Sequence, residues 1–316
     1  MAPCLSAKEK AVTSSTSVPM SPSPRSGRRL TRARREALLA YLLLLPAMAF
    51  VFGILGYGVV RAFITSLYQV DMLIVEQPFV GFRNYAELLR NPRFINSFQR
   101  SLVFVFSSVA VGTVLATLVA LSIYRLKRFK ATIQAVILIP YMVSGISTAV
   151  SWRFMFSGSG SLANIVLDWF GAGPISWLGD PNRAMAVVVM ANVWMITPFS
   201  VLIVLAGLES VDKHLFDAGA VDGATGLAMF RHITLPMIAP MMGVSFIWLS
   251  FASFNMFDII LATTGGGPGN ATELMAVHLY RLAFQRLDFS GASAVMVFLL
   301  IINVSVSILS LRLSRT

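Results

Sequence analysis

Residues 217 to 236, DAGAVDGATGLAMFRHITLP, form a polar, turn-rich stretch between two long apolar runs. Its usable groups are two carboxylates, Asp217 and Asp222, small residues at Ala218 and Gly219, and a turn-forming Gly223. A fixed Ile233, Leu235 and Pro236 close it. The chemistry on offer is docking, not bond making. Asp212 is placed to cap a short helix from Lys213, since its carboxylate accepts from exposed amides. Gly223 is placed to end that helix at a positive φ. Small residues would let the helix lie close to a partner, Asp217 would present one charge there, and Leu227 and Phe230 would anchor a second short helix against the rest of the protein. Pro236 suits the first turn of the following helix. The bland alternative is an ordinary capped connection between two helices.

Catalytic constellations are missing from the sequence. His214, His232 and His278 lie scattered, without metal-ligand spacing, and are expected to be solvated or capping groups. No G-x-x-x-x-G-K-[ST] phosphate loop occurs among only five lysines. No acid pair or cysteine cluster is available, and the single Cys4 cannot form an internal disulfide. The expectation is a protein without catalytic or metal-binding residues and without a cofactor of its own.

The elements that must position residues 217–236 follow from composition. The chain has 316 residues, 56% hydrophobic and 12% charged, with mean hydropathy +0.75. Soluble domains carry about 25% charged residues, so lipid is the expected solvent. Six runs hold no Asp, Glu, Lys or Arg: 37–60, 101–124, 133–152, 184–208, 237–257 and 291–311. A bilayer core of about 30 Å needs roughly 20 residues of helix. Helices satisfy their backbone internally, and the runs lack the alternation of a membrane barrel. The fold class is therefore all-α, a polytopic membrane protein with six transmembrane helices.

Net charge is +11, but eight of the 25 Lys and Arg precede Ala37, so the excess is no nucleic-acid footprint. Residues 1–36, rich in Ser, Pro and Arg, read as a disordered basic tail. They are not a signal peptide, because the apolar run after them is too long. Six arginines crowd the start of the first run, and Arg125, Lys127, Arg128 and Lys130 fill the connection between the second and third. The positive-inside bias puts both connections and both termini in the cytoplasm, and with them the connection 209–236.

At this point the residues resemble a known family. The spacing Asp217-Ala218-Gly219, three residues, Gly223, nine residues, Ile233, one residue, Leu235-Pro236 is similar to the E-A-A-x3-G-x9-I-x-L-P loop of ABC importer permeases. Asp217 stands for Glu and Gly219 for the second Ala. GFRNYAELL, ILIPYMVSGISTAVSWRFMF, ISWLGDPNRA, VWMITPF, LAGLESV, FDIILATTGGGPGNAT and YRLAFQRLDFSGASA resemble the sugar-importer branch, and together the likeness covers about residues 40 to 311. The resemblance implies a type I permease fold over 37–316 in a bacterial cytoplasmic membrane. It implies a second homologous permease, two ATPase subunits that carry ATP and Mg, and an extracytoplasmic solute-binding protein that meets loops 61–100, 157–183 and 262–290. Residues 209–236 become the coupling loop, with Asp217, Ala218, Gly219, Asp222, Gly223, Ile233, Leu235 and Pro236 as its carriers. Other readings are a permease of the same superfamily for a non-sugar solute, an ion-coupled secondary carrier, or a non-transporting assembly factor. Absence of ionisable groups from the runs weighs against a proton relay.

Sugar contact requires hydroxyl-compatible groups and aromatic faces. The candidates within the runs are Tyr141, Ser144, Ser147 and Trp152; Asn192, Trp194 and Thr197; Trp248, Ser250, Ser253 and Asn255. Tyr141, Ser144, Asn192, Trp248, Ser253 and Asn255 form the short set for a substrate path. Ser250, Ser253, Phe254 and Phe257 would share one helical face. Polar residues in membrane helices also bond neighbouring helices or their own backbone, and Trp marks interfaces. Asp258 is expected near Arg281 or Arg286. Pro140, Pro198 and Pro240 are able to kink the third, fourth and fifth helices.

Overall fold

The computed structural model describes residues 27–70 and 77–313. The chain divides into two units, one up to Tyr57 and one from Gly58 onward. In the first, α1 (Gly27–Phe50) leads into a π turn, Val51–Gly56. The tail expected over 1–36 lies outside the described residues as far as 26, and from Gly27 the chain is helical. The later elements are α2 (Tyr57–Ser66), α3 (Arg83–Arg90), α4 (Pro92–Tyr124), α5 (Lys130–Met142), α6 (Gly145–Phe156), α7 (Leu162–Trp169) and α8 (Pro181–Ser210). Then follow α9 (Lys213–Val221), α10 (Gly226–Met229), α11 (Leu235–Phe254), α12 (Asp258–Thr263), α13 (Met275–Tyr280) and α14 (Phe289–Leu313).

The two longest helices begin as their sequences dictate. Asn91 accepts from the Arg93 amide at 2.9 Å with Pro92 behind it, and Asp180 accepts from Asn182 and Arg183 at 3.1 and 3.0 Å with Pro181 behind it. Both place proline where its missing N–H costs nothing. Among the described residues, five helical stretches are long and apolar enough to cross a membrane: Arg34–Ser66, Pro92–Tyr124, Pro181–Ser210, Gly226–Phe254 and Phe289–Arg312.

The third expected helix is not one rod. It is α5 and α6, meeting at 87°. Val143 and Ser144 are extended, with ψ 139 at both. Pro140 lies inside α5, yet the break falls beyond it. Close packing explains where α6 goes: a Cβ on Gly145 would stand 2.9 Å from Asp258 Oδ2. Glycine lets the start of α6 seat directly on α12. The other two prolines do not interrupt their helices; α8 runs through Pro198 and α11 through Pro240.

α4, α8 and α11 form the core by close approach of small residues. A Cβ on Gly112 would meet Leu249 and Thr197 at 3.3 Å, and one on Gly207 would meet Met241 at 2.8 Å. Ala116, Ala120, Ala184 and Ala191 are fully buried along the same contacts. In lipid this is how helices gain dispersion contact, since apolar burial alone gives no preference for protein over lipid tails.

Two sets of bonds fix the sides of the bundle. Lys130 at the start of α5 pairs with Glu209 at the end of α8, 2.5 Å apart. Thus the 125–130 turn and the 209–236 connection share one side. At the other side Ser101 Oγ accepts from the Met275 amide at 2.8 Å, and Ser290 Oγ accepts from the Val70 amide at 2.6 Å. Ser101 thus ties the first turns of α4 to α13, at the end of α4 away from the 125–130 turn, and Ser290 ties the start of α14 to the segment after α2.

Candidate coupling site and translocation path

The 209–236 connection is a helical hairpin. Asp212 Oδ1 accepts from the His214 amide at 3.0 Å and starts α9, as its position predicted. The helix ends in a left-handed reversal. Gly223 has φ +78, its amide bonds the Ala220 carbonyl at 3.1 Å, and Ala224 bonds Gly219 at 2.9 Å. That pair of bonds is the Schellman closure, and glycine adopts its backbone without a Cβ penalty.

Gly219 and Ile233 have a common purpose that spacing alone did not reveal. Gly219 is buried, and a Cβ there would run into Ile233 Cδ1, with Met229 Sδ at 3.1 Å. The second arm therefore folds back onto the first through this glycine. Gly219 faces inward, whereas Asp217, Ala218 and Asp222 are exposed and have no ion pair among the described residues. The outward surface also carries Val221, 88% exposed, and Leu227, 79% exposed. Leu227 was expected to anchor the second arm; it points away, and Phe230, Met229 and Ile233 are the partly buried residues there.

The second arm is not separate from the next span. α10 passes through a π turn, Phe230–Thr234, straight into α11, so the span begins at Gly226 rather than 237. Pro236, placed at the first turn of α11, follows this widened turn. Proline removes one helical donor and crowds the carbonyl four residues back, and a π turn relieves that crowding. Motion applied to α9 is thereby joined, through the Gly219–Ile233 contact, to a helix that runs into the core.

The path candidates separate into four groups. Asn192 and Ser253 bond each other across α8 and α11 at 3.0 Å and are fully buried. Tyr141, Phe199 and Trp248 form a ring cluster with centroids 4.7 to 6.0 Å apart. Within this interior the Asn192 carbonyl oxygen, Thr197, Ser200 and Ser245 hydroxyls and Trp248 N–H have no hydrogen-bond partner among the described residues. Uncommitted buried polar atoms are rare in native interiors. Ser144 is exposed at the α5–α6 break. Asn255 ends α11 and donates to the Phe251 carbonyl at 2.8 Å, beside an apolar groove of about 670 Å³ edged by Phe257, Tyr280 and Asn303. The face expected from Ser250 to Phe257 is cut short, because α11 stops at Phe254 and Phe257 turns to Tyr280.

One cluster escaped sequence reasoning. Glu273, fully buried, accepts from Arg93 at 2.9 Å, from Arg281, and bonds His278 Nδ1 at 3.0 Å. Arg281 also reaches the Gly265 carbonyl at 2.5 Å. His278 is therefore a buried ion-cluster member, not a solvated histidine, and Arg281 pairs with Glu273, not Asp258. Burial pushes the Glu273 carboxyl up, but the bonds from His278 and Arg93 and the charges of Arg281 and Arg93 outweigh it and hold it at about 2. The partners lie 180 residues apart at the widest, a separation that leaves no local pattern.

Comparison with known proteins agrees with this architecture. Residues 101–316 match the family model described as "Binding-protein-dependent transport system inner membrane component". The trehalose/maltose transport system permease protein MalF of Thermococcus litoralis is 36% identical over 284 residues, covering 89% of this chain and 95% of that protein. The sn-glycerol-3-phosphate transport system permease protein UgpA of Pectobacterium atrosepticum is 31% identical, covering 88% and 94%. The fold matches a chain in the crystal structure of a bacterial ABC transporter involved in the import of the acidic polysaccharide alginate, with TM-score 0.76 at 23% identity over 91% of this chain and 98% of that one. With the family model spanning residues 101–316 and a relative above one-third identity along nearly its whole length, this chain belongs to the binding-protein-dependent transport system inner membrane components, a family of multi-pass membrane permeases.

Proposed function

We propose that this chain is one permease subunit of a bacterial ATP-driven importer of sugars or related solutes. The observation that carries the reading is the hairpin of residues 212–234: a capped helix whose exposed face offers Asp217, Ala218, Val221 and Asp222, backed by an arm continuous with a membrane span. Such a face suits a socket on a separate ATPase. The proposed assembly pairs this chain with a second homologous permease, two ATPase subunits that hold ATP and Mg, and an extracytoplasmic solute-binding protein. In this reading the membrane is the cytoplasmic one, with both termini and the hairpin inside. The chain itself moves solute and performs no chemistry.

ATP binding would draw the ATPases together and pull α9, and the pull would pass through Ile233 into α11 and rock its contact with α8. Alternating access by relative motion of helix bundles fits such a device. The uncommitted polar atoms and rings around Asn192, Thr197, Tyr141 and Trp248 support a polyhydroxyl solute, as do relatives named for trehalose and maltose. A relative named for glycerol 3-phosphate favours, as second reading, a small phosphorylated polyol.

The test is transport in vesicles reconstituted with the co-purified complex and its binding protein. Maltose, trehalose and glycerol 3-phosphate would be offered with and without internal ATP. Accumulation of one of them only with ATP supports the reading. ATP-independent exchange, or accumulation driven by an ion gradient, overturns it.

A further inference from the structure

The loop between α6 and α8 borders a half-open pocket of about 440 Å³, lined by residues 156–159 and 174–179. None of its lining residues belongs to the hairpin or to the Asn192–Ser253 pair. Its volume falls within the range of small-molecule pockets, roughly 300 to 1,000 Å³. Its walls combine two aromatic rings, Phe156 and Trp177, with the hydroxyls of Ser157, Ser159 and Ser176. The rings stand nearly perpendicular, 5.3 Å apart.

The cavity is held open by a dedicated residue. Asn164, on α7, is fully buried. Its amide donates to the Gly158 carbonyl at 2.9 Å and the Ile175 carbonyl at 3.1 Å. Its oxygen accepts from the Ile175 amide at 3.0 Å and from Trp177 Nε1 at 3.1 Å. Four bonds from one side chain use its donors and acceptor fully. They tie Gly158 on one wall to Ile175 and Trp177 on the other, so Asn164 positions both the walls and the indole.

The rings also lead inward. Phe156 stacks on Trp152 at 5.6 Å with planes 4° apart, and Trp152 meets Trp194 of α8 at 6.4 Å. Four aromatic side chains are thus in unbroken contact from the loop to a membrane span that also carries Asn192.

The geometry points to this cavity as a carbohydrate-holding site at the extracytoplasmic mouth of the permease, a reading that rests on the sugar-import proposal above. The apolar C–H face of a pyranose packs on an aromatic face, and serine hydroxyls pair with its rim. A sugar released by a binding protein docked on this loop would first stack on Phe156 and Trp177. Phe156 is a contact residue, and Asn164 acts through Trp177.

The test is thiol protection in the complete transporter. Cys4→Ser removes this chain's only cysteine, and Ser159→Cys places a reporter on the exposed rim, its labelling read on this chain after the subunits are separated; Ser157→Cys serves as a second reporter should the first impair assembly. Labelling by a charged methanethiosulfonate is timed with maltose, trehalose or glycerol. At about ten times its Kd, a bound sugar slows labelling about tenfold, while glycerol does not. Adding Phe156→Leu, which leaves the Asn164 bonds untouched, abolishes the protection, and Phe156→Tyr retains it. Uptake by the same complex separates the failures. If it imports maltose or trehalose and neither protects, or if protection survives Phe156→Leu, the site is overturned and the import reading stands. If it imports only non-carbohydrate solutes, the sugar reading falls and the site falls with it.

Discussion

Glu273 illustrates how one residue can set the behaviour of a whole side of the protein. A carboxylate sealed from solvent, yet held at about 2, gives up its ordinary value of 4.5 only because Arg93, Arg281 and His278 converge on it. The sign is that of a depressed acid. Its stabilisation is complete above about 4.5 and drains away as pH falls toward 2, because the unfolded chain takes up the proton first. Glu273→Gln keeps the shape and removes the charge, leaving two arginines under-compensated, and breaking a buried pair costs about 3 to 5 kcal/mol. We expect the variant to melt well below wild type at pH 7, with the gap narrowing as both are measured at successively lower pH below 4.5. A gap that stays constant with pH would show that the carboxylate's charge contributes nothing. The cluster is also the plainest case of what a single sequence hides. Arg93 and Glu273 are separated by 180 positions, and an apolar neighbourhood for His278 arises only from packing.

At the scale of elements, what the sequence revealed and what it did not divide along local and non-local lines. The Asp212 cap and the Gly223 reversal were legible because each is decided within a few residues. So was the placing of the 125–130 and 209–236 connections on one shared side, which the Lys130–Glu209 bond joins. The inward turn of Gly219 was not legible, because it depends on where Ile233 returns. Nor was the break between α5 and α6. The 133–152 run is continuously apolar, and nothing in it announces that Gly145 must accommodate Asp258. That contact makes a prediction. Gly145→Val drives a side chain into Asp258, so α6 must lift from α12, at a cost of about 1 to 3 kcal/mol. Asp258→Ala removes the carboxylate but keeps the Cβ that would stand 3.0 Å away, so the double variant should recover part of the loss. Melting temperatures of the four proteins close the cycle, and strict additivity of the two single changes would mean that the contact does not set the seating of α6.

For the whole molecule the question is whether docking and folding are separable in the coupling hairpin. Asp217 is exposed and has no partner ion among the described residues, and the neighbouring Gly219 carries the internal packing. Charge at Asp217 therefore takes no part in this chain's core and, on the proposed reading, is open to an ATPase. Asp217→Lys should leave the melting temperature of the isolated permease within the small range typical of surface changes, about 0.5 kcal/mol. The same substitution should sharply lower recovery of the ATPase on affinity purification, since reversing a charge against a matched socket costs far more than losing an exposed one. Gly219→Leu makes the opposite test: it fills the space of Ile233, spreads the hairpin and destabilises the permease itself. Comparing the two variants assigns the α9 surface to assembly and its buried side to transmission. Full ATPase recovery with Asp217→Lys would place the docking contact elsewhere on the hairpin, with the exposed Val221 and Leu227 as the remaining apolar grips.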